Sequence, residues 1–333
     1  MKEILTHLYQ HKTLTRDQAK SILLRMGKGD FNGSQKAAFL GVFSMRPITL
    51  EELSGFREAM LELQITVATN GFLTIDLCGT GGDGKDTFNI STLSSFVAAG
   101  AGLKVAKHGN YAVSSSVGSS NILEYFGYKF SSDTDKLMHE LEEAGIMFLH
   151  APLFNPAMKN IAPIRKELGT KTFFNILGPM INPANPDRQL IGVFNTETAR
   201  LYHYIYQQTD KNYTVVHSLD GYDEVSLTGT FKKFSREGEA NMTPDSLGMA
   251  YLKPEEIVSG GTLEESADIF LNVLKNEATK AQKEVVIANS ALAVQTAGLA
   301  NEIIDCVAIA RESIESGAAL QSFKKLMDYN KQL

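Results

Sequence analysis

Residues 76–92 read DLCGTGGDGKDTFNIST, and the nature of the fold turns on them. Glycines at 79, 81, 82 and 84 follow an extended apolar run, Phe72–Cys78, and the next helical pattern opens near Ser91-Thr92. Strand, flexible loop and helix start is an arrangement in which bare backbone N–H groups surround an anion. A plain strand-to-helix turn is usually much shorter. Two commoner phosphate motifs fit less well. Gly79, Gly81 and Gly84 match G-x-G-x-x-G literally, but a dinucleotide fingerprint opens its helix at the third glycine and has an acidic residue after the second strand. Here Lys85-Asp86-Thr87 delays the helix, and the second strand ends in Lys107-His108. Gly79 through Lys85 nearly matches G-x-x-x-x-G-K-[ST], yet Asp86 stands where a metal-binding hydroxyl belongs. What sets the loop apart is its end. Asn89-Ile90-Ser91-Thr92 places an amide and two hydroxyls at a helix N-terminus, where a cap needs only one, and so suits a phosphate dianion.

Outward from this loop, strands alternate with helices. Strands are expected at Phe72–Cys78, Leu103–Ala106, Ile146–Leu149, Leu190–Phe194 and Tyr213–His217, with helices at Thr92–Ala101, Ser119–Phe126, Thr134–Ala144 and Thr196–Gln207. Apolar strands separated by helices predict a mainly parallel sheet covered on both faces, with ligands outside the carboxyl ends of the strands. The polar residues that follow the strands are therefore the informative ones. Lys107 could neutralise a diphosphate and Asn110 could orient a substrate. Val113–Asn121 offers hydroxyls before a helix that starts at Ser119. Asp223-Glu224 follows the Tyr213–His217 strand; alone such a pair is usually a solvated patch, but beside a phosphate loop it suits Mg²⁺, which prefers oxygen ligands.

Residues 1 to about 65 read as helices only. Thr15 with Gln18 and Thr49 with Glu52 are capping boxes, Gly27 is expected to stop the first of these helices, and Ser34 to cap Ala37–Met45. Residues 155–185 interrupt the strand–helix alternation, with a helical Asn155–Leu168, and are expected to return to the N-terminal unit. Residues 228–248 look like irregular antiparallel strands, and helices follow: one capped by Thr262 with Glu265, then Lys283–Leu299 and Asn301–Ile314. The expectation is an α/β chain: a small all-helical domain over 1–66, joined by part of 158–185, and a large α/β domain over 70–333 whose mainly parallel sheet is covered by helices.

Composition narrows the function. The 333 residues are 43% hydrophobic and 21% charged, as in a soluble globular protein, and no apolar run approaches a membrane span. The start, MKEILTHLYQHKTLT, lacks a signal-peptide pattern, and two distant cysteines, Cys78 and Cys306, make neither a disulfide framework nor a metal cluster. A cytoplasmic protein that binds no membrane is the simplest reading. The net charge of −6 and pI near 5.7 argue against a life on nucleic-acid backbones.

In order and spacing, D-x-CGTGGDG (76–84), NIST (89–92), KHGN (107–110), VSS…GS (113–119), NPAMK (155–159), R-x-x-LG (165–169), FNILGP…NPA (174–184), QLIGVF (189–194) and DG-x-DE (220–224) form one series. On it the chain resembles the anthranilate phosphoribosyltransferases of tryptophan biosynthesis. The resemblance implies a helical plus an α/β domain, a homodimer through the helical parts, Mg²⁺ dependence, and two small-molecule substrates, phosphoribosyl pyrophosphate and anthranilate. It implies that Gly79, Thr80, Gly81, Gly82, Asp83 and Lys107 hold the pyrophosphate, with Ser119 on that side and Thr87 also in contact. Asn89, Ser91 and Thr92 would hold the ribose phosphate, and Ser91, Asp223 and Glu224 the Mg²⁺. Anthranilate would meet Gly79 and Asn110, with Arg165 at its carboxylate and His108, Pro152 and Met158 lining the approach. Tyr111, Ser116 and Asn155 depart from the family pattern, where an arginine, a lysine and a histidine are common. No serine, cysteine or histidine is set up as a nucleophile. Two other readings remain: a pyrimidine nucleoside phosphorylase of related fold, which would not need the acidic pair, and a non-enzymatic nucleic-acid-binding relative.

Overall fold

In the computed structural model, which describes residues 1–112 and 117–331, the strands are β1 (Thr74–Gly79), β2 (Lys104–Gly109), β3 (Ile146–His150), β4 (Arg188–Gly192), β5 (Asn212–Ser218), β6 (Phe231–Ser235) and β7 (Gly238–Met242). Ser116 and the hydroxyls of Ser114 and Ser115 lie outside the described residues. The strands form one sheet in the order β3-β2-β1-β4-β5-β6-β7. From β3 to β5 every pairing is parallel, and β6 and β7 extend the edge as an antiparallel hairpin. The strands are apolar on both faces because helices cover both. Helix Ile90–Gly100, which follows β1, is buried along nearly its whole length, and Phe96 packs edge-on against Phe270 and Phe323 at 6.0 and 5.3 Å. The strand order reverses direction between β1 and β4, and a parallel sheet opens its ligand crevice at such a switch point. Gly79 and Gly192 are register partners at the carboxyl ends of those two strands.

The chain divides into two compact units, Met1–Thr66 with Ala151–Asn185, and Val67–His150 with Pro186–Leu333. The second stretch of the helical unit thus begins at Ala151, ahead of residue 158. Phe173 of that stretch stacks on Phe56 (4.3 Å, 18°) and meets Phe39 and Phe43 edge-on, which ties it to the N-terminal helices. Asn155–Leu168 is not one helix: a 3₁₀ turn, Pro156–Asn160, precedes helix Ala162–Leu168. The Thr15–Gln18 and Thr49–Glu52 capping boxes both form.

Two expected helix boundaries are corrected. Helix Arg16–Lys28 runs through Gly27 and stops at Gly29, whose φ of +88° is left-handed. Gly27 is there for packing, since a Cβ would lie 2.6 Å from Leu63 Cδ1 and 3.0 Å from the Ala157 methyl. Helix Gly33–Met45 is capped by Asn32, not Ser34: the Asn32 side chain accepts the Gln35 N–H at 2.9 Å, and Gln35 returns the bond.

Candidate active site

The glycine-rich loop leaves β1 at the switch point, and its first contact is across the sheet: the Thr80 N–H donates to the Gly192 carbonyl at 2.9 Å. Above these two strand ends lies Asp223, from the loop after β5. A Cβ on Gly79 would stand 2.5 Å from Asp223 Oδ2, and one on Gly192 only 1.5 Å from the Asp223 carbonyl oxygen. Both glycines are thus what lets the acidic loop settle onto the strand ends. The Gly81 N–H, in a residue at φ +64°, donates to Asp223 Oδ2 at 2.6 Å. The Ser91 N–H, in the first turn of helix Ile90–Gly100, donates to Glu224 Oε1 at 3.0 Å. Glycine-rich loop, helix N-terminus and acidic pair therefore converge in one pocket, lined in part by Cys78, Gly79, Ser91, Gly192, Asp223 and Glu224.

The pair is not the solvated patch that adjacent carboxylates usually make. Asp223 is 8% exposed. Burial first, and then the nearby charge of Asp83, push its carboxyl up to about 7. Burial also raises Glu224 well above the ordinary range, with Asp223 and Asp83 adding to the rise, and Lys107 partly opposes it. Glu224 Oε2 is buried with no hydrogen-bond partner among the described residues. Such an arrangement is costly unless a cation completes it.

Lys107 and His108 lie inside β2 rather than in a turn after it. β1 holds them there: the His108 N–H donates to Asp76 Oδ1 at 3.1 Å, and the Lys107 ammonium, 2% exposed, donates to the Leu77 carbonyl at 2.6 Å. Asn110 and Ser119 meet where β2 runs into helix Ser119–Tyr125; Ser119 Oγ accepts the Asn110 N–H and donates to its carbonyl, both at 3.2 Å. Asn89 is the N-cap of helix Ile90–Gly100 without a capping side-chain bond; its amide group donates to Val117 O at 3.1 Å, and its Oδ1 is buried with no partner among the described residues. Thr80 Oγ1 and Thr92 Oγ1 are likewise buried with no hydrogen-bond partner among the described residues. Asp83 accepts the Lys85 N–H at 3.0 Å, Gly82 adopts φ +78°, and Thr87 bridges outward to Val258.

Pro152, Met158 and Arg165 belong to the helical unit. Arg165 lies over the Phe174 ring at 5.2 Å and donates to Asn175 Oδ1 at 3.2 Å, while its Nε is buried with no partner among the described residues; desolvation lowers its pKa. Tyr111 is 39% exposed, donates to Glu124, and stands edge-on to His150. Asn155 is buried, and its Nδ2 bonds back to Ala151 O at 3.0 Å.

Sequence reasoning did not reach Asn289, in helix Lys280–Thr296. Its Oδ1 accepts the Val225 N–H at 3.0 Å and its Nδ2 donates to the Val225 carbonyl at 2.9 Å. This two-way clamp holds the residue next to the acidic pair, and Ser218 Oγ adds a bond to the Glu224 carbonyl at 2.6 Å. An asparagine inside an otherwise apolar helical run was the only signal available.

Fold and site define a glycosyl transferase of two parts. Residues 2–63 match the family described as glycosyl transferase family, helical bundle domain, and residues 72–320 that described as glycosyl transferase family, a/b domain. The chain is 55% identical to the anthranilate phosphoribosyltransferase of Christiangramia forsetii over 98% of both chains, and 49% identical to that of Bacteroides thetaiotaomicron over 99% of both. The crystal structure of the Thermus thermophilus anthranilate phosphoribosyltransferase superimposes with a TM-score of 0.92 at 31% identity, covering 98% of this chain and 99% of that one. The Saccharomyces cerevisiae enzyme, in complex with PRPP and Mg, gives 0.91 at 25% identity, covering 99% and 97%. The chain belongs to the anthranilate phosphoribosyltransferase family.

Proposed function

We propose that this protein transfers the phosphoribosyl group of phosphoribosyl pyrophosphate to the amine of anthranilate, giving N-(5-phosphoribosyl)anthranilate and pyrophosphate, a step of tryptophan biosynthesis. The observation that carries the reading is the Asp223–Glu224 pair, the first buried and the second half-buried, bonded to the N–H groups of Gly81 in the glycine loop and Ser91 in the helix start. One spot thus offers anion donors and cation ligands together, which a pyrophosphate–metal complex requires. A nucleoside phosphorylase, with inorganic phosphate as its substrate, has no use for the second half of that arrangement.

The donor set fits magnesium. Asp223, Glu224 and the Ser91 hydroxyl offer hard oxygens, and the unpartnered Glu224 Oε2 is the atom a cation would complete. Magnesium bound there would supply positive charge toward the departing pyrophosphate. The chain supplies position and charge stabilisation. The Gly79–Asp83 loop holds the pyrophosphate, with Lys107 as its buried cation. Asn89, Ser91 and Thr92 hold the ribose phosphate at the helix N-terminus, so that C1 is fixed as the amine attacks and the C1–oxygen bond breaks with oxocarbenium character. Asn110, held by Ser119, orients anthranilate, with His108 near it in the chain. The displacement needs no protein nucleophile, and the buried Ser120–His150 hydrogen bond at 2.9 Å is given no part in it. Cytoplasmic location and a homodimer through the helical unit belong to the same reading.

The test follows anthranilate fluorescence with phosphoribosyl pyrophosphate, with and without Mg²⁺. Loss of the signal only in the presence of both is expected. No loss, or phosphorolysis of thymidine with inorganic phosphate instead, would overturn the reading.

A further inference from the structure

Lys85 lies in the middle of the glycine-rich loop, and its placement is unusual for a lysine surrounded by acids. Asp83 is two residues away and Asp220 and Asp223 are on the facing loop, yet among the described residues Lys85 pairs with no carboxylate. Its ammonium stands 4.7 Å from the centroid of the Tyr222 ring. Tyr222 is buried, fixed in the loop between β5 and β6 by the bond from the Ser218 N–H to its carbonyl at 3.1 Å. Gly221, whose φ of +102° favours glycine, lies beside the lysine stem: a Cβ there would be in ordinary contact with Lys85 Cε at 3.5 Å. Farther along, Ser259 holds the loop through Asp86: its N–H donates to the Asp86 carbonyl and its hydroxyl to Oδ2, both at 2.8 Å. The backbone around Lys85 is anchored on both sides while the side chain is not.

A lysine over a ring keeps its full charge, and the contact is weak beside a charge-assisted hydrogen bond to phosphate. The ammonium that lies deeper, that of Lys107, is already bonded to the Leu77 carbonyl. We infer that Lys85 is a further pyrophosphate ligand of the proposed site, held in reserve on the Tyr222 ring and transferred to the diphosphate when it binds. Its flexible four-carbon stem lets the ammonium move while the loop backbone stays in place. The ring solves a problem of charge: an ammonium paired with Asp83 or Asp220 would have to break an ion pair before it met the ligand, and one left in water would first have to be ordered.

The inference rests on the proposed phosphoribosyl transfer, and calorimetry with inorganic pyrophosphate and Mg²⁺ separates the two. In Lys85→Met, which keeps the stem and removes the charge, pyrophosphate affinity should fall about tenfold, with KM for phosphoribosyl pyrophosphate rising in parallel and KM for anthranilate unchanged. Lys85→Arg should recover most of the affinity, which a merely structural role would not require. Wild-type pyrophosphate affinity in Lys85→Met would overturn the inference, as would an equal loss for both substrates or no pyrophosphate binding by the wild-type chain. Pyrophosphate binding that depends on Lys85, in a protein that does not consume anthranilate, would support the inference and count against the proposed acceptor alone.

Discussion

Each unit of this protein buries carboxylates in a capped, hydrogen-bonded setting, and the two settings have opposite consequences. In the helical unit, Glu52 is fully enclosed and fully paired. Its oxygens accept from the Arg46 guanidinium at 2.9 and 2.5 Å, from the Leu14 N–H at 3.0 Å and from the Thr49 N–H at 3.0 Å. Burial alone would raise its pKa, but the bonds from Arg46 and the backbone outweigh that, and the carboxyl is held below its ordinary range. In the α/β unit, Asp223 and Glu224 have one backbone donor each among the bonds described above, face a third acid, and are pushed up. A carboxylate whose partners are all protein groups stabilises the fold. One that is buried with a partner missing costs stability and marks where something else binds.

That difference can be broken most sharply by neutral replacements at the second site. Asp223→Asn with Glu224→Gln should lower turnover about 10³-fold, equivalent to about 4 kcal/mol, and abolish its response to Mg²⁺. The same variant should unfold at or above the wild-type temperature without ligands, because a buried like-charge pair has been removed. Unfolding well below wild type would place this pair with Glu52, as a structural element.

The converse substitution is Glu52→Ala. It leaves Arg46 and two backbone N–H groups without their acceptor and should cost about 3 kcal/mol in urea unfolding. Both KM values should stay unchanged where the protein is folded. The pH dependence has a definite sign. Since Glu52 titrates below its ordinary 4.5 in the folded protein, its contribution is full above that value and fades as pH falls through the lower, folded one. The gap in stability between wild type and Glu52→Ala should therefore narrow in acid and stay constant from pH 6 to 8.

Asn289→Ala should give the smallest effect and join the two behaviours. It leaves the N–H and carbonyl of Val225 without the side-chain clamp, a loss of about 2 kcal/mol in stability. It should also weaken pyrophosphate binding in Mg²⁺ by a few-fold, because the acidic pair adjoins Val225. A stability loss with unchanged pyrophosphate affinity would limit the clamp to a structural role.

Legibility in the sequence followed the same divide between local and distant causes. The capping boxes at Thr15, Thr49 and Thr262 form as read, because donor and acceptor are three residues apart. The parallel strands were visible as apolar runs. Gly27 was misread because its reason, contact with Leu63 and Ala157, lies far along the chain, whereas the true stop was two residues on. The expected strand Leu103–Ala106 stopped short of Lys107 because the bond of its ammonium to the Leu77 carbonyl depends on which strands are neighbours. The C-terminal helix Ala318–Lys331 was not anticipated either, although its neighbour Ile303–Glu315 was. At the site, residue types and their order were readable from the motifs. What they could not convey is that Gly79 and Gly192 must both lack a side chain for Asp223 to reach the strand ends, or that Asn289 fastens the neighbouring residue.

We propose that Asp223 and Glu224 form a magnesium site serving pyrophosphate departure. This is tested most directly by a Mg²⁺ titration of anthranilate turnover at saturating phosphoribosyl pyrophosphate, wild type beside Asp223→Asn with Glu224→Gln. A saturable rise from near zero in the wild type and a flat, low line in the variant are expected. Parallel curves for the two proteins would contradict it.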